Sequence, residues 1–403
     1  MKFLCLLIAF FARLAPAASQ QNFVANYDEA KVPPYTLPDV LKTTGNKTVT
    51  SISDWEKKRR PEILQLFADN VYGQTPKEFQ SIKYTLVKRD DKALGGRATL
   101  KEVLIEVSNN NQTVQINLLV FVPNGSRAKA PAFLLINNRP RINTDPTRDS
   151  RTEFWPAEMA IDSGYAMAAF HVSDLAPDNK DSFANASLRL FPDQLIAPNG
   201  MRAIGAWAWG ASRVMDYFET DNDIDAKKIA VVGHSRGGKA SLWAAAQDHR
   251  FAICVTNNSG NSGAALSKRI YGETVGRINN SFPHWFTTNY KKYNENEAAL
   301  PVDQHMLLAT IAPRPLYVTN ASEDLWADPT GTYLATRLAA PVYELYGIKP
   351  NLPATPPVIN EAIIKTHTAY HNRQGKHDMT AFDWNRFIQF ASYHYAKKNS
   401  YKK

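Results

Sequence analysis

Cysteine is almost missing from this chain: there are two in 403 residues. Cys5 lies in the leading apolar run, ahead of most of it, too early for lipid attachment after cleavage of a leader. That leaves Cys254 alone. A single thiol closes no intramolecular disulfide, so stability has to come from a core and not from staples. Within "FAICVTNN", Cys254 reads as a small buried hydrophobe on a strand and not as a reactive thiol. Metal-ligand spacing, an RNA-binding signature and a basic helix are absent too, as are internal repeats, low-complexity blocks and a recognisable linker. These absences argue against nucleic acid as a partner and call for no metal or other cofactor. Beyond the leader no apolar run is long enough to cross a bilayer, so no membrane insertion is expected.

What is present first is an export pattern. In "MKFLCLLIAFFARLAPAASQQN", Lys2 supplies a positive start, residues 3–12 an apolar core, and Ala15-Pro16-Ala17 a small-residue cleavage site. The reading is a signal peptide over 1–17, then a single catalytic domain over 18–403. The mature protein is expected to be a soluble monomer, periplasmic or extracellular. Net charge is +9 and falls by two when Lys2 and Arg13 leave with the leader. A basic exported protein suits an anionic partner, and acidic polysaccharide fits that setting better than nucleic acid does.

The chain then alternates between two periodicities. "NYDEAKVPPYTLPDVL" is a proline-rich, extended lead segment. "SDWEKKRRPEILQLFADNVYG" predicts a helix with Ser53 as N-cap and Gly73 beyond its end. Strand-like runs follow at "LKEVLIEV", "VQINLLVFVP" and "APAFLLINN", then a helix near "EFWPAEMAIDSG" and a strand at "YAMAAFHV". Between Met201 and Glu219 the apolar residues Ile204, Trp207, Ala211, Val214, Met215 and Phe218 recur at three- and four-residue steps, which predicts a long amphipathic helix. Further strands are expected at "KIAVVGH", "FAICVTNN" and "RPLYVTNAS", and a last helix from about Thr380 to Lys397. Strands alternating with helices imply a mostly parallel sheet covered on both faces, a three-layer αβα sandwich, with early hairpins adding antiparallel strands at one edge.

Chemistry enters at "KIAVVGHSRGGKASLWAAAQD". Gly233-His234-Ser235-Arg236-Gly237 matches G-x-S-x-G between an apolar strand and a helix, the setting of the nucleophile elbow in the α/β-hydrolase fold. The turn lifts the Ser235 hydroxyl clear of the sheet and aims the Arg236 N–H at a developing oxyanion. A serine hydroxyl needs a base and an orienting carboxylate, which on this fold follow it in the order acid, then histidine. Of nine histidines, His171 and His234 lie on or beside strands and read as structural, while His249 and His394 read as helix-end or surface residues. His284 and His305 flank possible substrate loops. Among the late ones, His377 follows Gly375 just ahead of a helix and is favoured as the base over His367 and His371. Glu323, Asp324 and Asp328 crowd one loop after a strand. Asp328, beside Pro329, reads as a helix cap; chain position does not separate Glu323 from Asp324.

Taken together, "GHSRGGKASLWAAAQDHRFA", "SGNSGAALSKRIYGE", "FPHWF", "LPVDQHMLLATIAPRPLYVTNASEDLWADP" and "GKHDMTAFDW" resemble the glucuronoyl esterases of carbohydrate esterase family 15. The early "NYDEAKVPPYTLPDVL" and "RRPEILQLFADNVYG" fit its bacterial members, and the resemblance spans nearly the whole mature chain. It implies Ser235 as nucleophile, His377 as base, Arg236 as oxyanion stabiliser, Lys239 as a ligand for sugar hydroxyls and Trp326 as part of a uronate pocket. Fungal members carry the acid as a glutamate directly before the Ser-Gly that follows the elbow, where this chain has Asn258. Many bacterial members use an aspartate two residues before the pocket tryptophan, which implies Asp324 here. Glu273 in "RIYGE" matches a further pocket carboxylate, either a sugar contact or an aid to the histidine. The implied reaction is hydrolysis of the ester between 4-O-methyl-glucuronic acid side groups of glucuronoxylan and lignin alcohols, with no cofactor. Two rival readings are an acetyl xylan or feruloyl esterase, and a glycan-binding protein that keeps the fold without the catalysis.

Overall fold

The computed structural model describes residues 24–125, 128–349 and 351–396. The leader 1–17 with Cys5 and the basic tail 397–403 lie outside the described residues. Ten strands form one sheet: β1 (Ser81–Ala93), β2 (Ala98–Asn109), β3 (Gln112–Pro123), β4 (Ala130–Asn137), β5 (Ala166–His171), β6 (Ile224–His234), β7 (Ile253–Asn257), β8 (Leu316–Ala321), β9 (Ala362–Ile363) and β10 (Thr368–Arg373). Their order is β1-β2-β3-β5-β4-β6-β7-β8-β10-β9. From β5 to β10 every neighbouring pair is parallel. The β1–β2–β3 meander and β9 add antiparallel strands at the two edges.

The central strands are apolar on both faces, and alternate residues feed two cores. Leu134, Ile136, Val231 and Val318 face one side; Phe133, Leu135, Val232 and Tyr317 face the other. Helices α1 (Ala157–Asp162) and α4 (Ala381–Ala396) cover the second face through Trp384, Phe387 and Phe390, while α2 (Ala203–Thr220) and α3 (Arg236–Gln247) cover the first through Trp207, Phe218 and Trp243. This is the α/β-hydrolase three-layer arrangement expected from the sequence. Cys254 is fully buried in β7, and burial pushes its thiol up to about 12, so it remains protonated. No helix among the described residues is long and apolar enough to cross a membrane.

Two expectations need correction, and one strand went unread. The first long helical stretch is capped by Ser51, whose side chain accepts from Asp54 N–H, and not by Ser53, which lies inside its first turn. Strand β1 was not predicted, because its polar run "KRDDK" is solvent-exposed at the sheet edge and carries charges suited to blunting that edge. His394 is a helix-end residue, in the last turn of α4, and not a surface one: it is buried, with Nε2 donating to the Thr366 carbonyl at 2.9 Å.

The steric limit on the whole arrangement lies where β6 meets α3. A Cβ at Gly233 would sit 1.9 Å from the Gly237 carbonyl oxygen, inside backbone that cannot retreat. Gly233→Ala is therefore expected to destabilise the protein by about 3 kcal/mol or more, read as a lowered thermal midpoint. An unchanged midpoint would show that the turn has slack.

Candidate active site

Ser235 sits between β6 and α3 at φ 56° and ψ −124°, a left-handed conformation that a non-glycine residue holds only under constraint. The constraint is visible. Ser235 N–H donates to the Asn257 carbonyl at 2.8 Å, and the Ser235 carbonyl accepts from Gly238 and Lys239 N–H at 2.9 and 3.2 Å. A Cβ at Gly237 would meet Asn138 Oδ1 and the Ile136 carbonyl at 2.9 Å, so strand and helix approach as closely as they do only with glycine there. Arg236 N–H heads α3, where the first amides lack intrahelical acceptors.

The loops after β8 and β10 meet beside this turn. Asp324 is 5% exposed. Its Oδ2 accepts from His377 Nδ1 at 2.6 Å and from Asn258 Nδ2 at 2.8 Å. With Nδ1 taken by Asp324, His377 keeps Nε2 free to face a substrate. The His377 ring centroid lies 4.6 Å from that of His234, the residue before Ser235. The Ser235 hydroxyl makes no hydrogen bond among the described residues, and such contacts commonly tighten only with substrate bound. Of the residues left open by chain position, Glu323 instead accepts from Gln374 at the surface, and Asp328 caps the helix Pro329–Leu338 by accepting from Gly331 N–H at 2.8 Å. His371 lies inside β10, fully buried between Tyr317 and Asp383, and His367 packs near His394.

Arg236 has an anchor that the sequence did not reveal. Its Nη1 donates to Asp178 Oδ2, and its guanidinium stands 4.9 Å over Trp285 and 5.5 Å over Phe282. Asp178 Oδ1 also accepts from His284 Nε2 at 2.9 Å and Trp285 Nε1 at 2.7 Å. Burial acts to raise the Asp178 carboxyl, but these donors and the guanidinium outweigh it and hold the group at about 2. The only hint in the sequence was the aromatic cluster "FPHWF"; Asp178 itself stands in an unremarkable loop.

Lys239 and Glu273 pair close to the elbow, and Trp326 joins Glu273 through its backbone. Lys239 is 3% exposed. Its Nζ donates to the carbonyls of Ser259 and Asn261 at 2.7 and 2.5 Å and to Glu273 Oε2 at 3.4 Å. Burial lowers its ammonium pKa, with Glu273 opposing the shift. Glu273 is 7% exposed and so is no solvated loop residue. Its N–H donates to the Trp326 carbonyl at 3.0 Å, which joins the two loops. Gly272, at φ 62°, makes that junction feasible, since a Cβ there would lie 2.5 Å from the Trp326 oxygen.

A family model described as "Glucuronyl esterase, fungi" matches residues 105–347. "Carbohydrate esterase MZ0003", from an unknown prokaryotic organism, is 42% identical over 92% of this chain and 92% of its own length. "4-O-methyl-glucuronoyl methylesterase 1" of Wolfiporia cocos is 30% identical over 85% of this chain and 81% of its own. Among solved structures, a glucuronoyl esterase from Solibacter usitatus superposes with a TM-score of 0.84 at 39% identity, covering 91% of this chain and all of that one. The chain belongs to the glucuronoyl esterase family. It is, accordingly, an ester hydrolase of carbohydrate esterase family 15.

Position 258 carries an amide, and it donates to the Asp324 carboxylate. A further feature missed from sequence is the state of His234. Its Nδ1 donates to Asn257 Oδ1 at 2.6 Å, and burial, then the neighbouring His377, keep it well below the usual histidine range. A neutral ring therefore adjoins His377. No signal in the sequence marked it beyond its place in the elbow.

The depressed Asp178 carboxyl has a measurable consequence. An aspartate in the unfolded chain titrates near 3.8, and the folded value is about 2. Its contribution to stability is therefore complete above 3.8 and lost as pH falls towards 2. The stability difference between the wild type and Asp178→Asn, taken from urea titrations, is expected to be constant above 3.8 and to close on acidification across that interval. A difference that stays unchanged down to the lower limit would contradict the assignment.

Proposed function

We propose that this chain hydrolyses the ester joining 4-O-methyl-glucuronic acid side groups of glucuronoxylan to an alcohol, through Ser235, His377 and Asp324. The observation that carries the proposal is the 2.6 Å contact between Asp324 Oδ2 and His377 Nδ1 beside a strained Ser235 elbow. His377 Nε2 takes the Ser235 proton as Oγ attacks the C6 carbonyl, and Asp324 stabilises the imidazolium. The tetrahedral oxyanion forms against the Arg236 N–H and the Arg236 guanidinium, a permanent cation whose other face is fixed by Asp178. Collapse breaks the bond to the alcohol, which leaves with the proton from His377. Water then attacks the glucuronoyl-enzyme, with His377 again as base, and releases the free uronic acid and Ser235.

Recognition of the acid part falls to Lys239, Glu273 and Trp326. The Lys239–Glu273 contact at 3.4 Å is the weakest of the three that Nζ makes, so it is the one a sugar hydroxyl would replace at least cost. Trp326 is half-buried and offers a flat apolar face to the ring. The reading also takes the chain from residue 18 onward as one exported catalytic domain acting as a monomer on polysaccharide, without a cofactor.

Three measurements test this. Hydrolysis of methyl or benzyl glucuronate is expected to exceed that of p-nitrophenyl acetate in kcat/KM, and preference for the acetate would transfer the protein to the acetyl-ester class. Ser235→Ala is expected to lower turnover on the order of ten-thousandfold or more while leaving xylan binding intact; residual wild-type turnover would rule out the triad. Arg236→Ala, with the fold preserved, is expected to cost about a hundredfold in kcat.

A further inference from the structure

His377 lies on a short loop between β10 and α4 that has no regular structure of its own. The loop is nonetheless tied down from within. Arg373, the last residue of β10, is buried and spends its guanidinium on the loop's backbone: Nη1 donates to the Gln374 carbonyl at 3.0 Å, and Nη2 to those of Lys376 and Asp378 at 2.8 and 2.7 Å. Two of these carbonyls belong to the residues on either side of His377. Gly375, at φ 114°, completes the fit, because a Cβ there would lie 3.0 Å from Arg373 Nη1. The loop is wrapped round the guanidinium.

The other end of Arg373 leads to the nucleophile. Its Nε donates to Asp383 Oδ2 at 2.9 Å. Asp383 is fully buried, and its Oδ2 accepts also from Thr380 N–H and Oγ1 at 2.7 and 2.9 Å, while its Oδ1 accepts from His371 at 2.9 Å and Asn257 Nδ2 at 3.2 Å. Asn257, at the end of β7 and fully buried, is the residue whose carbonyl holds Ser235 N–H and whose Oδ1 holds His234. Burial raises the Asp383 carboxyl, but His371, Arg373 and Thr380 together bring it below its ordinary value, so the hub remains charged.

We propose that Arg373, anchored through Asp383 and Asn257, is a positioning residue that fixes His377 in register with Ser235. This rests on the reading of Ser235 and His377 as nucleophile and base. The elbow and the base loop come from strands separated by two others in the sheet, β7 and β8. Arg373, Asp383 and Asn257 give them a common buried reference, independent of the Asp324 contact. A displacement of about 1 Å in such a pair can cost on the order of a hundredfold in rate. Lysine is no substitute, because one ammonium cannot span a carboxylate and three carbonyls in a fixed fork.

The test uses Arg373→Lys, with active serines titrated to completion by a phosphonate reagent so that unfolded protein does not count. With benzyl glucuronate as substrate, kcat per titrated serine is expected to fall on the order of a hundredfold, with KM within about twofold of wild type because no pocket residue is touched. A loss of titratable serine with kcat per site unchanged would mean that Arg373 only holds the fold, and would overturn the proposal. Gly375→Ala, in the surface loop, displaces the same guanidinium without removing it; it is expected to lower kcat per site in the same direction, and an unchanged value there also overturns the proposal, whether or not Arg373→Lys folds. His377→Ala run in parallel separates the two readings. If His377→Ala retains turnover, the proposed base is wrong; if it does not and the Arg373 and Gly375 variants are unaffected, only the positioning role fails.

Discussion

Within four residues the chain must pass from the buried end of β6 into α3 while presenting a polar side chain to solvent. Ser235 can do this only at a positive φ, and such a conformation is held by its surroundings, not by local preference. Gly233, Gly237 and Gly238 each leave space that a Cβ would take from backbone or a packed side chain. The Asn257 carbonyl completes the restraint from the neighbouring strand. Everything else in the site is arranged around a serine whose position is decided by packing in the sheet.

The charged groups around it obey a second constraint, the cost of burying charge. Asp178, Lys239, Arg373 and Asp383 are all largely withdrawn from water, and each is met by several partners. Burying an ion without such partners costs several kcal/mol. Many of those partners are backbone carbonyls and amides of the loops after β7 and β10. Meeting the demands of the buried charges therefore orders the loops that carry Asn258 and His377, and the site's geometry is tied to its solvation.

What the sequence revealed follows from how local each signal was. The apolar run, the glycine turn and the alanine-rich helix are contiguous, so the elbow and the layered fold could be read directly. The choice of His377 over His371 rested on loop position; in the structure His371 belongs to a short buried strand, where its ring is used by Tyr317 and Asp383. Glu323 and Asp324 are adjacent, and only the turn after β8 decides which faces the imidazole, so composition could not separate them. Asp178 was beyond reach. It pairs with Arg236 across a wide gap in the chain and from a loop without a pattern. The burial of Lys239 was likewise hidden, because its acceptors are carbonyls of a loop twenty residues on.

Asn258 fits the same geometry. Strands β7 and β8 are parallel neighbours in register, Asn257 opposite Thr319, and Asn258 N–H donates to the Thr319 carbonyl at 2.9 Å. Residues just beyond either strand end thus open onto one imidazole. A carboxylate reaching His377 from the end of β7 or from the loop after β8 could meet the same need, which makes the acid's place in the chain interchangeable. Two carboxylates there would repel one another at close range, whereas an amide at 258 donates to the one that remains. Asn258 therefore supports Asp324 where a second acid would compete with it.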